Sequence, residues 1–457
     1  MRLIIAVPLL LLLPLPFADL AVAQPVTPRL VARNGIDLIA GDGSGITVDG
    51  LRAGDEVTVH ASRRYIITRR VDGNPATDTL LFRSTGVFRA NRRGIVLVDS
   101  AAPESGTWRA ADPHGLFWSM ERVTAPSPSP PARGMVQVVL EMNGTAVDSL
   151  WLRMRASLSP LVERTVADGA IAGAYAAPND SMPHPVVLLL HGSEGGDTAS
   201  AQILARRFAA RGYAAFALVY VSYGGALPGI PTTFDAVPLE LLDRAREWMG
   251  RQREADTSRT AIWGVSKGAE LALVAAAFRT WPRAVVACVP SDVVWAGFGR
   301  PVAAGEELSS WSVGGKPLPA VQYDRYEDVF SGKSTARAVH DRSRVKYSST
   351  VGAARIPIER TGAPLLLLGA ERDEVWASSE MAQWIGATLA ARGKSKLASV
   401  AQYSGAGHGI CGDGSTPWDL YGPGTADKRS TARSSADAWR RTVAFLTREL
   451  GRSHRDR

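Results

Sequence analysis

The sequence Gly-Val-Ser-Lys-Gly at residues 264–268 determines how the rest of the chain is interpreted. Residues 260–263 before it are apolar and β-prone, whereas residues 269–277 after it favour a helix. A Gly-x-Ser-x-Gly pattern between a strand and a helix is typical of a nucleophile elbow, a sharp turn that exposes the serine hydroxyl at the edge of a sheet. Side chains at the two glycine positions are predicted to collide where strand and helix meet. Ser266 is therefore the candidate nucleophile.

The region around this stretch alternates apolar runs with helical patterns. Strands are predicted at 186–190, 214–220, 260–263, 284–289, 364–369 and 397–403, and helices at 200–211, 239–253, 269–277, 381–392 and 435–450. Continuous apolar strands alternating with helices are typical of a parallel sheet covered on both faces. With the elbow, this pattern predicts an α/β-hydrolase fold for residues 157–457. Residues 299–360, rich in Gly, Ser and charge, break the alternation and are predicted to cap the site.

A serine nucleophile needs a general base, and the base needs a carboxylate that orients it. In this fold the acid and then the histidine follow the serine along the chain. Three histidines follow Ser266. His408 comes directly after the last predicted strand, whereas His340 lies in the predicted cap and His454 in a charged tail. His408 is therefore the candidate base.

The candidate acid should follow the strand predicted at 364–369. Three carboxylates compete in the stretch 370–374. We choose Asp373, because several residues are needed to turn from the end of the strand into the loop, and we keep Glu371 as the alternative.

The oxyanion of a tetrahedral intermediate needs two backbone N–H donors. The N–H of Lys267, next to the nucleophile, is the first candidate. The second should come from the Gly-rich loop at 191–196, with Ser193 preferred and Glu194 next. This loop has no following Lys-Ser/Thr, so it is a weak phosphate cradle. No His-Glu-x-x-His or Cys-x-x-Cys spacing is present, and we predict no metal and no cofactor.

The N terminus has the pattern of a secretory signal peptide. Arg2 is followed by an apolar segment up to Phe17, and Ala21-Val22-Ala23 forms a small-x-small cleavage site. Residues 1–23 are therefore predicted to be removed, which leaves an exported protein without a membrane anchor. The net charge of +8 is carried by scattered basic residues, so nucleic acid is not an expected partner.

Residues 24–156 have a β pattern. Apolar residues alternate at 57, 59 and 61, further strands are predicted at 95–98, 136–140 and 149–154, and turn signals separate them at 33–35, 49–50, 72–75 and 143–144. Short strands at this spacing predict an immunoglobulin-like β-sandwich. The Pro- and Ser-rich stretch 126–131 is interpreted as an exposed loop within this domain, because more strand-like sequence follows it.

The chain has two cysteines, Cys288 and Cys411, both predicted near the active-site edge of the sheet. An oxidising compartment permits a disulfide between them. Two separate buried thiols are an equally good interpretation of the sequence.

The whole chain resembles the acyl-CoA thioester hydrolases and bile acid-CoA:amino acid N-acyltransferases. The matching stretches include Asp-Pro-His-Gly-Leu-Phe-Trp-Ser-Met at 112–120, together with 50–59, 86–90, 211–214, 264–273, 293–295, 356–360, 373–378 and 405–408. The resemblance implies an immunoglobulin-like domain before an α/β-hydrolase domain. It also implies that the family's Ser or Cys, Asp and His correspond to Ser266, Asp373 and His408.

The expected function is therefore serine-dependent hydrolysis of a small-molecule acyl thioester, such as an acyl-CoA. Acyl-CoA is an intracellular metabolite, so an exported carboxylesterase acting on oxyesters is the first alternative. An acyl-CoA:amino acid N-acyltransferase is another, but the resemblance implies that such transferases carry Cys where this chain has Ser266. A non-catalytic binding module would not need the predicted triad.

Overall fold

The structure is a computed structural model that describes residues 27–71, 74–124, 131–169, 171–303, 305–422 and 424–451. The predicted signal peptide, the turn residues 72–73, nearly all of the Pro-rich loop and the candidate His454 lie outside the described residues. Within the described part of the chain, no helix is both long and apolar enough to cross a lipid bilayer.

The N-terminal region is a β-domain built from two sheets. Its elements are β1 Arg29–Ala32, β2 Asp37–Ile39, β3 Ile46–Asp49, β4 Glu56–Val71, β5 Asn74–Arg89, β6 Val96–Leu97, β7 Ser105–Gly106, α1 Gly115–Trp118, β8 Glu121–Arg122, β9 Met135–Met142 and β10 Thr145–Arg155. One sheet has the order β1-β3-β6, and the other runs β2-β10-β9-β4-β5-β7, with β8 also on β5. Apolar residues from both sheets share one core.

This β-domain confirms the predicted strands with one local exception. Val57, Val59 and Ala61 alternate into the core as predicted. The strand predicted at 95–98 as a short buried run is shorter in the structure: only Val96–Leu97 form a strand, and Leu97 is 46% exposed. The finer assignment of this domain as immunoglobulin-like stays a prediction.

The C-terminal region is an α/β domain. Its elements are β11 Leu161–Asp168, β12 Ile171–Pro178, β13 His184–Leu190, α2 Thr198–Ala209, β14 Ala214–Val219, β15 Val237–Pro238, α3 Glu240–Gly250, β16 Ala255–Val265, α4 Lys267–Phe278, β17 Ala284–Cys288, β18 Trp311–Val313, β19 Lys316–Pro317, α5 Glu327–Phe330, α6 Ala336–Lys346, α7 Ser348–Ala354, β20 Leu365–Ala370, α8 Ser378–Ala391, β21 Ala398–Tyr403 and α9 Lys428–Leu450.

The main sheet has the order β11-β12-β14-β13-β16-β17-β20-β21. Six strands, from β14 to β21, are mutually parallel, as predicted. The prediction of a wholly parallel sheet is wrong at one edge, where β12 pairs antiparallel with both β11 and β14. The sequence of β12, Ile-Ala-Gly-Ala-Tyr-Ala-Ala-Pro, consists mainly of small residues and lacks the bulky apolar run by which the other strands were found.

The last helix, α9, is longer than predicted. The apolar pattern placed its start at residue 435, whereas the helix begins at Lys428. Asp427 caps this end by accepting the N–H of Ser430. The first turns carry the small buried residues Ala432 and Ala436, which pack into the core of the β-domain and so join the two domains.

The segment 299–360 lies against the predicted site. It contains β18, β19 and α5 to α7, and we call it the cap. Trp311 of β18 donates its indole N–H to Glu270 of the elbow helix α4. His340 of α6 packs edge-on against Trp376, which follows β20.

Candidate active site

Ser266 occupies a strained backbone conformation between β16 and α4. Its φ of 56° and ψ of −120° are rarely adopted by residues other than glycine, and such strain concentrates at functional sites. A Cβ atom at Gly264 would stand 2.1 Å from the carbonyl oxygen of Gly268. A Cβ at Gly268 would stand 2.4 Å from the carbonyl of Leu190, at the end of β13. Both glycines are therefore sterically required, the second by a neighbouring strand rather than by the elbow strand itself.

The structure brings Ser266, His408 and Asp373 into one hydrogen-bonded chain. The three residues follow β16, β21 and β20, whose carboxyl ends meet at the same edge of the sheet. Nε2 of His408 lies 2.9 Å from the hydroxyl oxygen of Ser266, and Nδ1 lies 2.8 Å from both carboxylate oxygens of Asp373. A carboxylate can only accept, so Nδ1 carries the hydrogen and Nε2 is free to accept the serine proton.

Asp373 is buried and surrounded by donors. Besides His408, it accepts the hydroxyl of Ser378 at 2.5 Å and the backbone N–H groups of Val375 and Trp376. Burial by itself would raise the pKa of Asp373, but His408 and these hydrogen bonds together hold the pKa below its usual value. The carboxyl group is therefore ionised at neutral pH. The reserve candidate, Glu371, is exposed, and its backbone N–H bonds to the carbonyl of Tyr403; within the described residues its carboxylate has no hydrogen-bond partner.

The loop that carries His408 is fixed through its backbone. Glu374 accepts the backbone N–H of His408 at 2.9 Å, and Thr431 of α9 accepts that of Gly407 at 2.9 Å. The ring of Trp376 stands edge-on to the imidazole, with centroids 5.6 Å apart. From the sequence, Glu374 was expected only as a competing acid. Its spacing after β20 gave no sign that it would bind a backbone group.

The two cysteines form a disulfide, which decides between the alternatives left open by the sequence. The Cα atoms of Cys288 and Cys411 are 6.0 Å apart. The carbonyl of Cys288 accepts the backbone N–H of Ser266 at 3.0 Å, and Cys411 lies three residues after His408. The disulfide therefore links the strand beside the nucleophile to the loop that carries the histidine.

The candidate oxyanion donors have free backbone N–H groups. Among the described residues, no acceptor is found for the N–H of Lys267, Ser193 or Glu194. The carboxylate of Glu194 folds back to accept the N–H of Gly192 at 2.9 Å, and the hydroxyl of Tyr223 donates to the carbonyl of Ser193 at 2.9 Å. These two bonds fix the shape of the loop that faces the elbow.

The side chain of Lys267 belongs to a buried ion pair that sequence analysis missed. Its Nζ atom lies 2.8 Å from both carboxylate oxygens of Glu270, and both side chains are almost fully buried. Glu270 also accepts the backbone N–H of Trp295 and the indole N–H of Trp311. Burial lowers the pKa of Lys267 and raises that of Glu270, while their pairing opposes both shifts. The only signal in the sequence was the i,i+3 spacing.

His340, rejected as the base, lies behind the candidate site. Its ring is perpendicular to those of Trp295, Tyr323, Tyr326 and Trp376. Burial lowers the pKa of His340 to about 4, so its ring is neutral at physiological pH. The hydrogen bond of its Nδ1 is made to the carbonyl of Ala336, within its own helix.

The fold, together with Ser266, His408 and Asp373 at the carboxyl edge of its main sheet, defines an α/β-hydrolase with a Ser-His-Asp arrangement. Residues 43–158 match the model for the acyl-CoA thioester hydrolase/BAAT N-terminal region, and residues 237–412 match the model for the BAAT/acyl-CoA thioester hydrolase C terminal. The chain belongs to the acyl-CoA thioester hydrolase/BAAT family, as the resemblance of the sequence predicted.

The relatives of this chain support hydrolase activity. Acyl-coenzyme A thioesterase 1 of Rattus norvegicus is 26% identical over 430 residues, which cover 90% of this chain and 94% of that protein. The mitochondrial acyl-coenzyme A thioesterase 2 of Mus musculus is 26% identical, over 81% of each chain. The peroxisomal succinyl-coenzyme A thioesterase of Mus musculus is 22% identical, over 82% of this chain and 88% of its own length.

Similar solved structures include esterases and a peptidase. The esterase of Pyrobaculum calidifontis covers 63% of this chain and 85% of its own, with 16% identity and a TM-score of 0.40. The puromycin-hydrolyzing peptidase of Mycobacterium tuberculosis covers 91% of this chain and 67% of its own, with 15% identity and a TM-score of 0.41.

Proposed function

We propose that the protein is an exported serine hydrolase that cleaves small-molecule acyl thioesters, acyl-CoA or a related compound, to the free carboxylic acid. The observation that carries this proposal is the hydrogen-bonded chain from the strained Ser266 through His408 to the buried Asp373. Family membership supports hydrolysis, and the relatives named above are thioesterases. The pattern of residues 1–23 supports export.

The reaction would proceed through an acyl-enzyme. Nε2 of His408 takes the hydroxyl proton as the oxygen of Ser266 attacks the carbonyl carbon, and Asp373 stabilises the imidazolium that forms. The N–H of Lys267 and that of Ser193, with Glu194 as the alternative, would bind the oxyanion. The C–S bond then breaks, and the thiol leaves with the proton from His408. Water, activated by the same imidazole, releases the carboxylic acid.

The nucleophile favours hydrolysis over transfer to an amine. A Ser266 acyl-enzyme is an oxygen ester, which reacts less readily with amines than a thioester would. Activated water should therefore compete successfully with an amino acid acceptor. With an acyl thioester and excess glycine or taurine, free acid is expected as the main product. A product that is mostly N-acyl amino acid would contradict the hydrolase proposal.

A second candidate function is the hydrolysis of oxyesters. The observation in its favour is the predicted signal peptide, because an exported enzyme would not meet intracellular acyl-CoA. The same Ser266, His408 and Asp373 would serve this reaction. The two candidates differ only in the leaving group, so substrates that carry one acyl group on different leaving groups separate them.

The decisive experiment compares the protein with its Ser266→Ala variant on matched thioesters and oxyesters. The proposal expects turnover of the thioesters, and at least a thousandfold loss of that turnover in Ser266→Ala with unchanged thermal unfolding. Glu371→Gln, which alters an exposed carboxyl group at the same edge, is the matched control and should retain full activity. Equal turnover by Ser266→Ala would reject the site, and activity restricted to oxyesters would favour the second candidate.

A further inference from the structure

A carboxylate of the oxyanion loop lies close to the nucleophile. A Cβ atom built on Gly192 would stand 3.3 Å from Cβ of Ser266 and 2.4 Å from Oε2 of Glu194. Both side chains therefore border the same point in space, and only a residue without a Cβ atom at 192 leaves room for the carboxylate there. Glu194 is thus next to the reacting hydroxyl and not merely on the same loop.

Hydrogen bonds hold this carboxylate in place and leave part of it open. Oε1 of Glu194 accepts the backbone N–H of Gly192 at 2.9 Å, and Tyr223 fixes the preceding carbonyl of Ser193 at 2.9 Å. No hydrogen bond of Oε2 is found within the described residues, and the side chain of Glu194 is exposed. A ligand at the nucleophile can therefore reach an oxygen atom that the protein does not use.

The negative charge of Glu194 is not neutralised by its neighbours. In the part of the chain that the structure describes, no lysine or arginine forms an ion pair with it. The nearest basic side chain of the elbow, Lys267, is committed to the buried Glu270. Burial lowers the pKa of His191, although Glu194 opposes this shift, so the imidazole is neutral at physiological pH. The nucleophile therefore faces an uncompensated carboxylate.

This charge acts directly on the group that reacts at Ser266. In the proposed reaction the oxyanion lies at the N–H of Ser193, one residue before Glu194. A carboxylate beside a developing oxyanion opposes it, whereas a cation on the substrate would offset that repulsion. The two short distances from Gly192 place Oε2 and the nucleophile well within the Debye length of about 8 Å at physiological ionic strength, so salt does not fully screen the effect.

From these observations we propose that Glu194 determines acyl specificity, favouring acyl groups that carry an ammonium on the first or second carbon from the reacting carbonyl. This inference rests on the proposed hydrolysis at Ser266 and specifies its substrate class, an aminoacyl thioester or ester. An ammonium on either carbon stays within a few ångströms of the bond to Ser266, where Oε2 of Glu194 also lies. A carboxylate at the same place on the acyl group would meet a like charge.

The test measures kcat/KM on thioesters that share one neutral leaving group, N-acetylcysteamine, and carry 3-aminopropanoyl, butanoyl or succinyl as the acyl group. The first two have the same number of non-hydrogen atoms and differ in charge. In Glu194→Gln, the ratio of 3-aminopropanoyl to butanoyl should fall about fivefold, the upper value for an exposed ion pair. The ratio of succinyl to butanoyl should rise by a similar factor. Comparing ratios between the two proteins cancels the intrinsic reactivity of each substrate.

Glutamine at 194 retains the size of the side chain and an oxygen that can accept the N–H of Gly192. Glu371→Gln is the matched control, because it removes an exposed carboxylate at the same edge of the sheet, and its ratios should equal those of the wild type. A salt titration tests the wild-type protein without any substitution: its preference for 3-aminopropanoyl should shrink as salt is raised to about 0.5 M. Glu194→Gln should show no such salt dependence.

Ser266→Ala separates this inference from the proposed function. Turnover that persists in Ser266→Ala would refute the proposed function. If turnover requires Ser266 but the ratios are the same in the wild type and in Glu194→Gln, the inference alone is wrong. The same change in Glu371→Gln, or succinyl as the best wild-type substrate, would also overturn the inference. If only oxyesters are hydrolysed, the methyl esters of the same three acyl groups give the same comparison.

Discussion

The triad edge and the cap adjoin one another, but they are held in different ways. Ser266, Asp373 and His408 each follow a strand, and backbone hydrogen bonds fix all three. The cap is also joined to its neighbours by backbone hydrogen bonds, such as those of Val237 with Ser310 and of Val321 with Val294, but beside His408 it is held by packed side chains. Trp295, Val321 and Trp376 belong to a separate small core, and the ring of His340 packs edge-on against both tryptophan rings.

This difference indicates how each region responds to substitution. A side chain at the triad edge has one position and one protonation state in which it acts, so isosteric changes should abolish the reaction without unfolding the protein. The part of the cap beside His408 is a packed cluster, and changes in it should act mainly on stability. The following predictions are arranged from the largest expected effect to the smallest.

The largest effect is expected from the acid at the triad edge. Asp373→Asn should lower kcat by about ten-thousandfold, because an amide no longer selects the correct tautomer of His408. Adding His408→Ala should cause little further loss, since the triad acts as a unit. Steady-state kinetics on one thioester checks both. If Glu371→Gln were the inactive variant and Asp373→Asn the active one, the assignment of the acid would be wrong.

The second prediction concerns the junction between the two regions. Glu270→Gln should destabilise the protein by about 3–5 kcal/mol, because it leaves the buried Lys267 without a counter-charge. The double variant Glu270→Gln with Lys267→Met should recover most of that loss, since the remaining amide oxygen still accepts from Trp311. Urea unfolding of the variants measures these differences. A fully stable Glu270→Gln variant would show that the buried Lys267 does not need this carboxylate as a counter-charge.

The third prediction is a pH dependence specific to the cap. The pKa of His340 is lowered by burial to about 4 in the folded protein, compared with 6.5 in the unfolded chain. Below pH 6.5 the unfolded chain therefore binds a proton that the folded protein does not, and stability falls as the pH decreases towards 4. His340 should account for about 3 kcal/mol of this loss. His340→Phe should flatten the curve of unfolding free energy between pH 7 and 4, and an unchanged slope would refute the prediction.

The smallest effect is expected at the oxyanion loop. Tyr223→Phe removes the hydrogen bond to the carbonyl of Ser193, worth about 1 kcal/mol. Because that bond shapes the loop and not the acyl site, kcat should fall several-fold while KM stays the same. A change in KM alone would show that Tyr223 acts on substrate binding instead.

The contrast between the triad edge and the cap also explains which features could be predicted from the sequence. Ser266 could be found because a strand, two glycines and a helix lie within one short stretch, and these dictate the local backbone. Asp373 and His408 could be found because the ends of parallel strands meet at one edge. The order of the strands and the lengths of the loops reduce the candidate acids and bases to a few residues. In the structure, the three chosen residues form one hydrogen-bonded chain.

Contacts between distant segments could not be found in this way. Glu270 meets Trp311 across 41 residues, and Glu374 meets the backbone of His408 across 34. No local pattern encodes such pairs, because many acidic residues have the same spacing and surroundings in the sequence. The antiparallel edge of the sheet was missed for a related reason, since the small residues of β12 owe their burial to α2 and β14 rather than to their own hydrophobicity.

The disulfide makes the cap part of a closed covalent ring. The bond joins residues 123 positions apart, and the ring contains the cap, Asp373 and His408, whereas Ser266 lies outside it. A protease that cuts the cap once therefore leaves one molecule, with the acid and the base still attached to the strand beside the nucleophile. Such a nicked protein should migrate as one band without reductant and as two bands with it, and the three triad residues should separate only after reduction.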